Sequence, residues 1–507
     1  MNIKEAKQEI ENAVRAYLMK DKYGRYRTET VRQRPLLMIG APGIGKTAIM
    51  EQIALEMQIG LISYSMTHHT RQSAIGLPFI EERQYGETTF HITEYTMGEI
   101  VASIYEFMKR TGLKEGILFL DEINCVSETL TPAMLQFLQY KTFGNHPIPG
   151  GWVIVCAGNP PEYNKSVRTF DVATLDRVRK IMVEPDYDIW KEYALDRGVH
   201  PAVTSYLDVK RENFYRIENT PEGKAFATAR GWEDLSEILW LYEELGIEPG
   251  EQLASQYLQD RKVSRDFAVY LALFYKYKSD YRIPEILRGK WDEGICSRAS
   301  AGGFDERLSL LSLLLDAVTG DVSKIRKEEE TIARLQEILQ GIRHKGGDSG
   351  NYLQLLQIAA GEQAEILERE LTRGLIDRKQ EDIQREVILR LESFRVELAE
   401  KGFAEGKKAF SQLKKIFGAL TDNMENGIDR AREEIDCLFR FVADCFGEDR
   451  EMLVVLSELT ARPSTAKFIS EYGSDAYFKY NESMLFYQRQ TDVYRQLREI
   501  REKETAE

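Results

Sequence analysis

One eight-residue stretch constrains this chain more than any other: Gly40-Ala41-Pro42-Gly43-Ile44-Gly45-Lys46-Thr47. It fills every fixed position of the pattern Gly-x-x-x-x-Gly-Lys-Ser/Thr. It follows the apolar run Pro35-Leu36-Leu37-Met38-Ile39 and precedes the helical run Ala48-Ile49-Met50-Glu51-Gln52-Ile53-Ala54. A strand, a glycine-rich loop and a helix in that order are what a phosphate cradle needs. Gly40, Gly43 and Gly45 permit backbone conformations that a side chain would forbid. The loop's N–H groups can then converge on phosphate oxygens at the positive end of a helix. Lys46 is placed to reach the β- and γ-phosphates, and Thr47 to ligate Mg²⁺ through its hydroxyl. The candidate nucleotide-binding set is the whole 40–47 loop together with Ala48 in the first helical turn. A glycine-rich turn matching by chance is the competing reading, and the complete pattern in the right context argues against it.

The surroundings extend that constraint. Residues 1–182 alternate strand and helix patterns, with apolar runs at 36–39, 61–64, 117–120 and 153–157 that read as buried parallel strands. This is the βαβ rhythm of a doubly wound sheet. Two stretches interrupt it and read as inserted β-hairpins. One is 76–95, with a turn at Tyr85-Gly86-Glu87. The other is 141–151, turning at Gly144-Asn145. Strand patterns stop near Glu184-Pro185. Residues 183–280 are expected to form an all-helical lid, with one helix opening at 228–235. A connector is expected over 281–303, which contains Pro284, Gly289 and Gly294. Residues 281–507 are expected to be a helical C-terminal region. There Ile325, Ile332, Leu335, Leu339 and Ile342 form one apolar stripe, and Ile383, Val387, Leu391, Phe394 and Leu398 another. They fit a helical hairpin or short coiled coil, with a glycine-rich turn at 346–350. Such stripes are core packing, not a cofactor site.

A second strand says what becomes of the nucleotide. Ile117-Leu118-Phe119-Leu120-Asp121-Glu122 is apolar until it ends in two acids. Asp121 is placed to share the Mg²⁺ shell with Thr47, and Glu122 to orient the attacking water. The strand 152–157 ends in Gly158-Asn159-Pro160, beside the nucleotide crevice of such a sheet. Asn159 can hydrogen-bond the water or the γ-phosphate. Arg177 is the candidate for a cation entering a neighbour's active site, with Arg179 its competitor. Arg230, at the start of the lid helix, could reach the γ-phosphate from the chain's own lid.

The whole chain sets limits. Its 507 residues suggest two to four domains, and 43% hydrophobic with 30% charged residues is ordinary for a soluble protein. The apolar run 308–315 is too short to span a bilayer, and the N-terminus reads as a charged amphipathic helix and not as a secretion signal. The five cysteines, Cys125, Cys156, Cys296, Cys437 and Cys445, have no paired spacing and read as buried thiols, so the cytoplasm is the expected location. A net charge of −14 argues against affinity built on phosphate neutralisation, and so against a nucleic-acid partner.

Together these residues resemble the AAA+ ATPases, and more closely the MoxR branch with its dynein-related relatives. Asp121-Glu122-Ile123-Asn124 is similar to that branch's Walker B ending. Leu135-Gln136-Phe137-Leu138, the 141–149 stretch and Gly158-Asn159-Pro160 resemble its helix, pre-sensor hairpin and sensor 1. Leu175-Asp176-Arg177 resembles its arginine-finger motif, and Ala229-Arg230-Gly231-Trp232-Glu233 its sensor 2. The 76–95 insert sits where this branch carries its helix-2 hairpin. The resemblance covers about residues 30–280. Val178 stands where the family has phenylalanine, which leaves the finger between Arg177 and Arg179. His68 and His69 match no pattern, and nothing in their spacing supports a metal site.

The resemblance implies an α/β AAA+ P-loop core with hairpin inserts, an all-α lid and a helical C-terminal domain. It implies Mg²⁺-dependent ATP hydrolysis with Lys46, Glu122, Asn159 and Arg177 as the catalytic set, in a ring of subunits, a hexamer in this family. The implied work is chaperone-like remodelling of protein clients, among them proteins with a von Willebrand factor A domain. The rival is a nucleic-acid motor such as a restriction-type translocase, disfavoured by the acidic balance.

Overall fold

The computed structural model describes residues 1–163, 167, 170–221 and 223–483; the C-terminal end of the 281–507 region lies outside the described residues. The chain divides into two compact units. The first is Met1–Ile189 with Thr228–Arg230 and Gln363–Asp382; the second is Trp190–Ala227 with Gly231–Glu362 and the chain from Ile383.

The first unit is built on a parallel sheet. Its strands are β1 (Leu36–Gly40), β2 (Gly60–Ser65), β5 (Gly116–Asp121), β8 (Trp152–Gly158) and β9 (Arg179–Val183), in the order β2-β5-β8-β1-β9. The missing numbers belong to two hairpins, β3 (Pro78–Tyr85) with β4 (Thr88–Tyr95), and β6 (Thr142–Phe143) with β7 (His146–Pro147). β1 and β8 are buried along their whole length, as expected of central strands covered on both faces. Alternate residues Leu37, Ile39, Leu118, Leu120, Ile154 and Cys156 share one core with Ile100, Ile104, Met134 and Phe137 from the helices Glu99–Thr111 and Thr131–Tyr140. Leu36, Met38, Phe119 and Val155 face the other way and are equally buried.

The four apolar runs are therefore the central and β2 strands of the sheet. The fifth strand, β9, escaped the sequence reading because it is an edge strand. It opens on the exposed Arg179 and Lys180, and only Ile181 and Val183 are buried, on either side of the exposed Met182, so the apolar run is three residues long and too short to mark it. Both expected hairpins form about the expected turns. Tyr85 pairs with Thr88 across Gly86-Glu87, where Gly86 has φ 66°; Phe143 pairs with His146 across Gly144-Asn145. The hairpins also touch. Asn145 Nδ2 donates to Glu94 Oε2 at 2.6 Å, and His146 Nε2 to the Tyr95 carbonyl at 3.0 Å.

The second unit is mainly helical, with a polar hairpin, β10 (Arg216–Thr220) with β11 (Gly223–Ala227), that the sequence did not reveal. Its residues are exposed or half-buried apart from Ala227, so no long apolar run announces them. The expected connector over 281–303 instead contains helices Ile283–Leu287 and Glu293–Ala301. Both apolar stripes are buried, apart from the half-buried Ile325. They do not form a self-contained pair: Leu335, Leu339, Ile342, Val387, Leu391, Phe394 and Leu398 share one core with Tyr352 and Leu356 of another helix and with Ala409 and Leu413 of helix Gly406–Phe446.

The cysteines correct an expectation. Cys296 and Cys445 are disulfide-bonded with Cα atoms 4.7 Å apart, while Cys125, Cys156 and Cys437 are thiols. A separation of 149 residues hides this pairing from any spacing argument. Only the packing of helix Glu293–Ala301 beside the end of helix Gly406–Phe446 creates it. Among the described residues no helix is long and apolar enough to cross a membrane.

Candidate functional site

The site lies where β1, β5 and β8 end. Past β1 the chain turns through the 40–47 loop into helix Lys46–Met57, capped by Gly45 at φ 89°, a backbone state that excludes most side chains. Lys46 is buried, and its amine is held by neutral acceptors. Nζ donates to the carbonyl oxygens of Gly40 at 2.9 Å and Ala41 at 2.8 Å, and to Asn159 Oδ1 at 2.9 Å. Burial pushes the amine down to about 8; Asp121 and Glu122 oppose that shift and Arg230 adds to it.

Thr47 Oγ1 donates to Asp121 Oδ2 at 3.2 Å, and Asp121 Oδ1 accepts the Glu122 N–H at 2.8 Å. A hydroxyl and a carboxylate so close together are the hard oxygen donors that Mg²⁺ prefers, so the donor set fits that ion. Glu122 stands in the left-handed region, φ 55° and ψ 35°, a conformation that costs a non-glycine residue about 1–3 kcal/mol and gathers at functional sites. Its carboxylate is held by two hydroxyls, Ser65 Oγ and Thr67 Oγ1, each donating to Oε2 at 3.1 Å.

Three residues in this cluster were not singled out from the sequence: Ser65, Thr67 and Asn124. Ser65 arrives because β2 pairs with β5 in the register Ser65↔Asp121. Thr67 precedes His68 and His69, which match no sequence pattern; His69 packs edge-on against Tyr64 and shares a hydrogen bond with Ser73 Oγ at 3.2 Å, while His68 is exposed. Asn124 Nδ2 donates to the main-chain oxygen of Asn159 at 2.7 Å. No motif rule points to Ser65 or Thr67, which the sheet order brings in; Asn124 ends the Asp121-Glu122-Ile123-Asn124 pattern, which assigned it no role.

The arginines divide. The Arg230 main-chain N–H donates to the Gly43 carbonyl at 3.2 Å, which brings the start of helix Ala229–Leu245 onto the phosphate loop. Arg177 follows helix Val172–Leu175 and is exposed; no hydrogen bond or ion pair joins it to Lys46, Asp121 or Glu122. Arg179 opens β9 and lies 3.6 Å from Glu9 of the helix Ile3–Tyr17.

Residues 36–178 match the family model described as "ATPase family associated with various cellular activities (AAA)". The matched stretch contains the phosphate loop, Asp121, Glu122, Asn159 and Arg177, and it supports an AAA+ ATPase, with the nucleotide binding and ATPase activity general to that class. Arg230 lies beyond it. Among solved structures the chain is similar to NtrX from Brucella abortus in complex with ADP, at 14% identity over 47% of this chain and 49% of that one, with a TM-score of 0.28. The match thus spans about half the length of that protein. None of the curated proteins matches the chain.

Proposed function

We propose that this chain hydrolyses ATP with Mg²⁺, assembles into a ring, and uses the cycle to remodel partner proteins in the manner of the MoxR branch. The observation that carries the reading is the convergence of Lys46, Thr47, Asp121 and Asn159, bonded to one another across three strand ends, with Glu122 beside them. Bound Mg²⁺ would neutralise phosphate charge at Thr47 and Asp121. Lys46 exchanges its carbonyl acceptors for phosphate oxygens. Glu122 orients the attacking water once its carboxylate leaves Ser65 and Thr67, and the Asn159 amide steadies the water or the γ-phosphate. Arg230 approaches from the lid, and Arg177, exposed on its own subunit, completes the neighbour's site. That division of labour is why a ring, a hexamer by resemblance, belongs to the proposal.

The client is a protein. The β3–β4 hairpin exposes Phe79, Tyr85 and Phe90 on one face and Ile80 on the other, apolar side chains suited to an unfolded or partly unfolded segment. Its bonds to the β6–β7 turn would let both hairpins move together as the nucleotide changes. A partner with a von Willebrand factor A domain suits this reading by resemblance. The test is phosphate release from the purified chain with ATP, in Mg²⁺ and in EDTA, alongside its mass in solution. The reading expects Mg²⁺-dependent turnover and a nucleotide-dependent oligomer. A chain that stays monomeric with ATP, or that turns over only with DNA, contradicts it.

A further inference from the structure

Asn124 touches neither Lys46 nor Glu122 in any hydrogen bond, yet it is buried at the edge of the site. It sits in the short turn Ile123–Cys125 and is 4% exposed. Its Nδ2 donates to the main-chain oxygen of Asn159 at 2.7 Å, and the Asn159 side chain in turn accepts from Lys46 Nζ. Gly158 makes room for this bond, because a Cβ there would lie 2.5 Å from Asn124 Oδ1 and 2.8 Å from its Cγ. Oδ1 itself has no donor among the described residues. A hydrocarbon side chain of similar size would fill the space without burying an unpaired acceptor. The amide is therefore accounted for by the one bond its NH₂ group makes.

We infer that Asn124 is a positioning residue for the hydrolysis proposed above: it ties the acid-bearing end of β5 to the end of β8 and so fixes the Asn159 side chain against Lys46. The inference rests on the hydrolytic reading of the site. Asn124 contacts no reacting atom and acts through Asn159 alone. Gly158 is the other half of the device, since its bare Cα lets the amide approach.

The experiment is a double-mutant cycle on ATP turnover, with ATP binding and thermal melting measured on every protein. Asn124→Leu should lower kcat about 10–100-fold, the usual range for outer-shell partners, while KM for ATP moves less than about threefold. In an Asn159→Ala background the same substitution should cost nothing further, because the side chain it positions is gone. Two losses that simply multiply would overturn the inference. Gly158→Ala approaches the same bond with Asn124 intact and should reproduce the kcat loss; a folded Gly158→Ala protein with full kcat would overturn the inference even if Asn124→Leu melted early. Failure of the two readings is distinguishable. A wild-type chain without ATP turnover removes the hydrolytic reading, whereas an active wild type matched by an equally active, folded Asn124→Leu removes only this inference.

Discussion

Lys46 in the first unit and Lys191 in the second are both shielded from solvent, and their surroundings are opposite. Lys46 Nζ faces two carbonyls and an amide oxygen, with no carboxylate among the described residues within hydrogen-bonding distance. Lys191 Nζ is clamped by Asp208, at 2.8 Å to both carboxylate oxygens, and by Glu458 at 2.5 Å. Burial lowers both amines. For Lys46 burial prevails and the group falls to about 8; for Lys191 the charges of Glu458 and Asp208 reverse it and the group ends raised. A buried amine satisfied by acids holds a fold together. A buried amine left among neutral dipoles is poised for an anion that the chain itself does not supply.

The largest effect should come from a cation that the first unit presents outward. Arg177→Ala should lower ATP turnover about 10³-fold or more, the range for an arginine finger. Mixing it with a Glu122→Gln protein should restore part of the activity, because each supplies what the other's interface lacks. A mixture as inactive as its components would exclude a finger acting between subunits.

Swapping the two lysines tests the comparison itself. Lys46→Met should cost about 10²–10³-fold in turnover, the scale of one lost charge-stabilising donor, and leave melting unchanged or raised. Lys191→Met should leave turnover per folded molecule intact and cost about 3 kcal/mol of stability, because Asp208 and Glu458 lose their shared cation. If Lys191→Met abolished turnover in a folded protein, the division between structural and functional amine would fall.

The pH dependences should run in opposite directions. With its amine at about 8 in the folded chain, Lys46 is protonated below that pH and neutral above it. ATP affinity should therefore fall as pH rises past 8, by up to about tenfold per unit, with proton uptake on binding. Between about 8 and the ordinary lysine value the unfolded chain holds more protons at this site, so the Lys46 contribution to nucleotide-free stability rises with pH. Lys191 has the reverse sign: its contribution is complete below the ordinary lysine value and is lost as pH climbs through its raised folded value. Calorimetry in buffers of different ionisation heat reads the first effect, and melting against pH the second.

Arg179→Ala should give the smallest change. Its pair with Glu9 is 3.6 Å long and half-exposed, worth less than about 1 kcal/mol. Turnover within about twofold of wild type separates it from Arg177; a loss as large as that of Arg177→Ala would exchange their roles.

The same contrast explains what could be read from the sequence. β1, β5 and β8 were legible because both faces are covered, so every residue is apolar until the acids at the end of β5. The turns at Gly86 and Gly144 were legible because both glycines take positive φ between short strands. Lys46, Thr47, Asp121, Glu122 and Asn159 each stand in a short local pattern, and the sheet brings them together. Ser65 and Thr67 stand in none; they reach the site only through the strand order and the Ser65↔Asp121 register, which are long-range facts. Asn124 closes the Asp121–Asn124 pattern, but its partner, the main-chain oxygen of Asn159, lies on another strand end and left no local trace. β9 and β10–β11 failed for lack of a long apolar run, and the Cys296–Cys445 bond for lack of any local trace. The helical unit yielded its stripes but not its bundle, because a heptad pattern records that a face is buried without recording what buries it.

The central claim is that Glu122, parked on Ser65 and Thr67 in this structure beside the Lys46–Asn159 cluster, is released from them to activate water in an ATP-hydrolysing site. The direct measurement compares ATP binding and phosphate release in wild type and Glu122→Gln under the same Mg²⁺ conditions. The account predicts ATP binding within a few-fold of wild type and phosphate release slowed about 10²–10⁴-fold, the range for a lost general base. A Glu122→Gln protein that binds ATP and releases phosphate at the wild-type rate would contradict it.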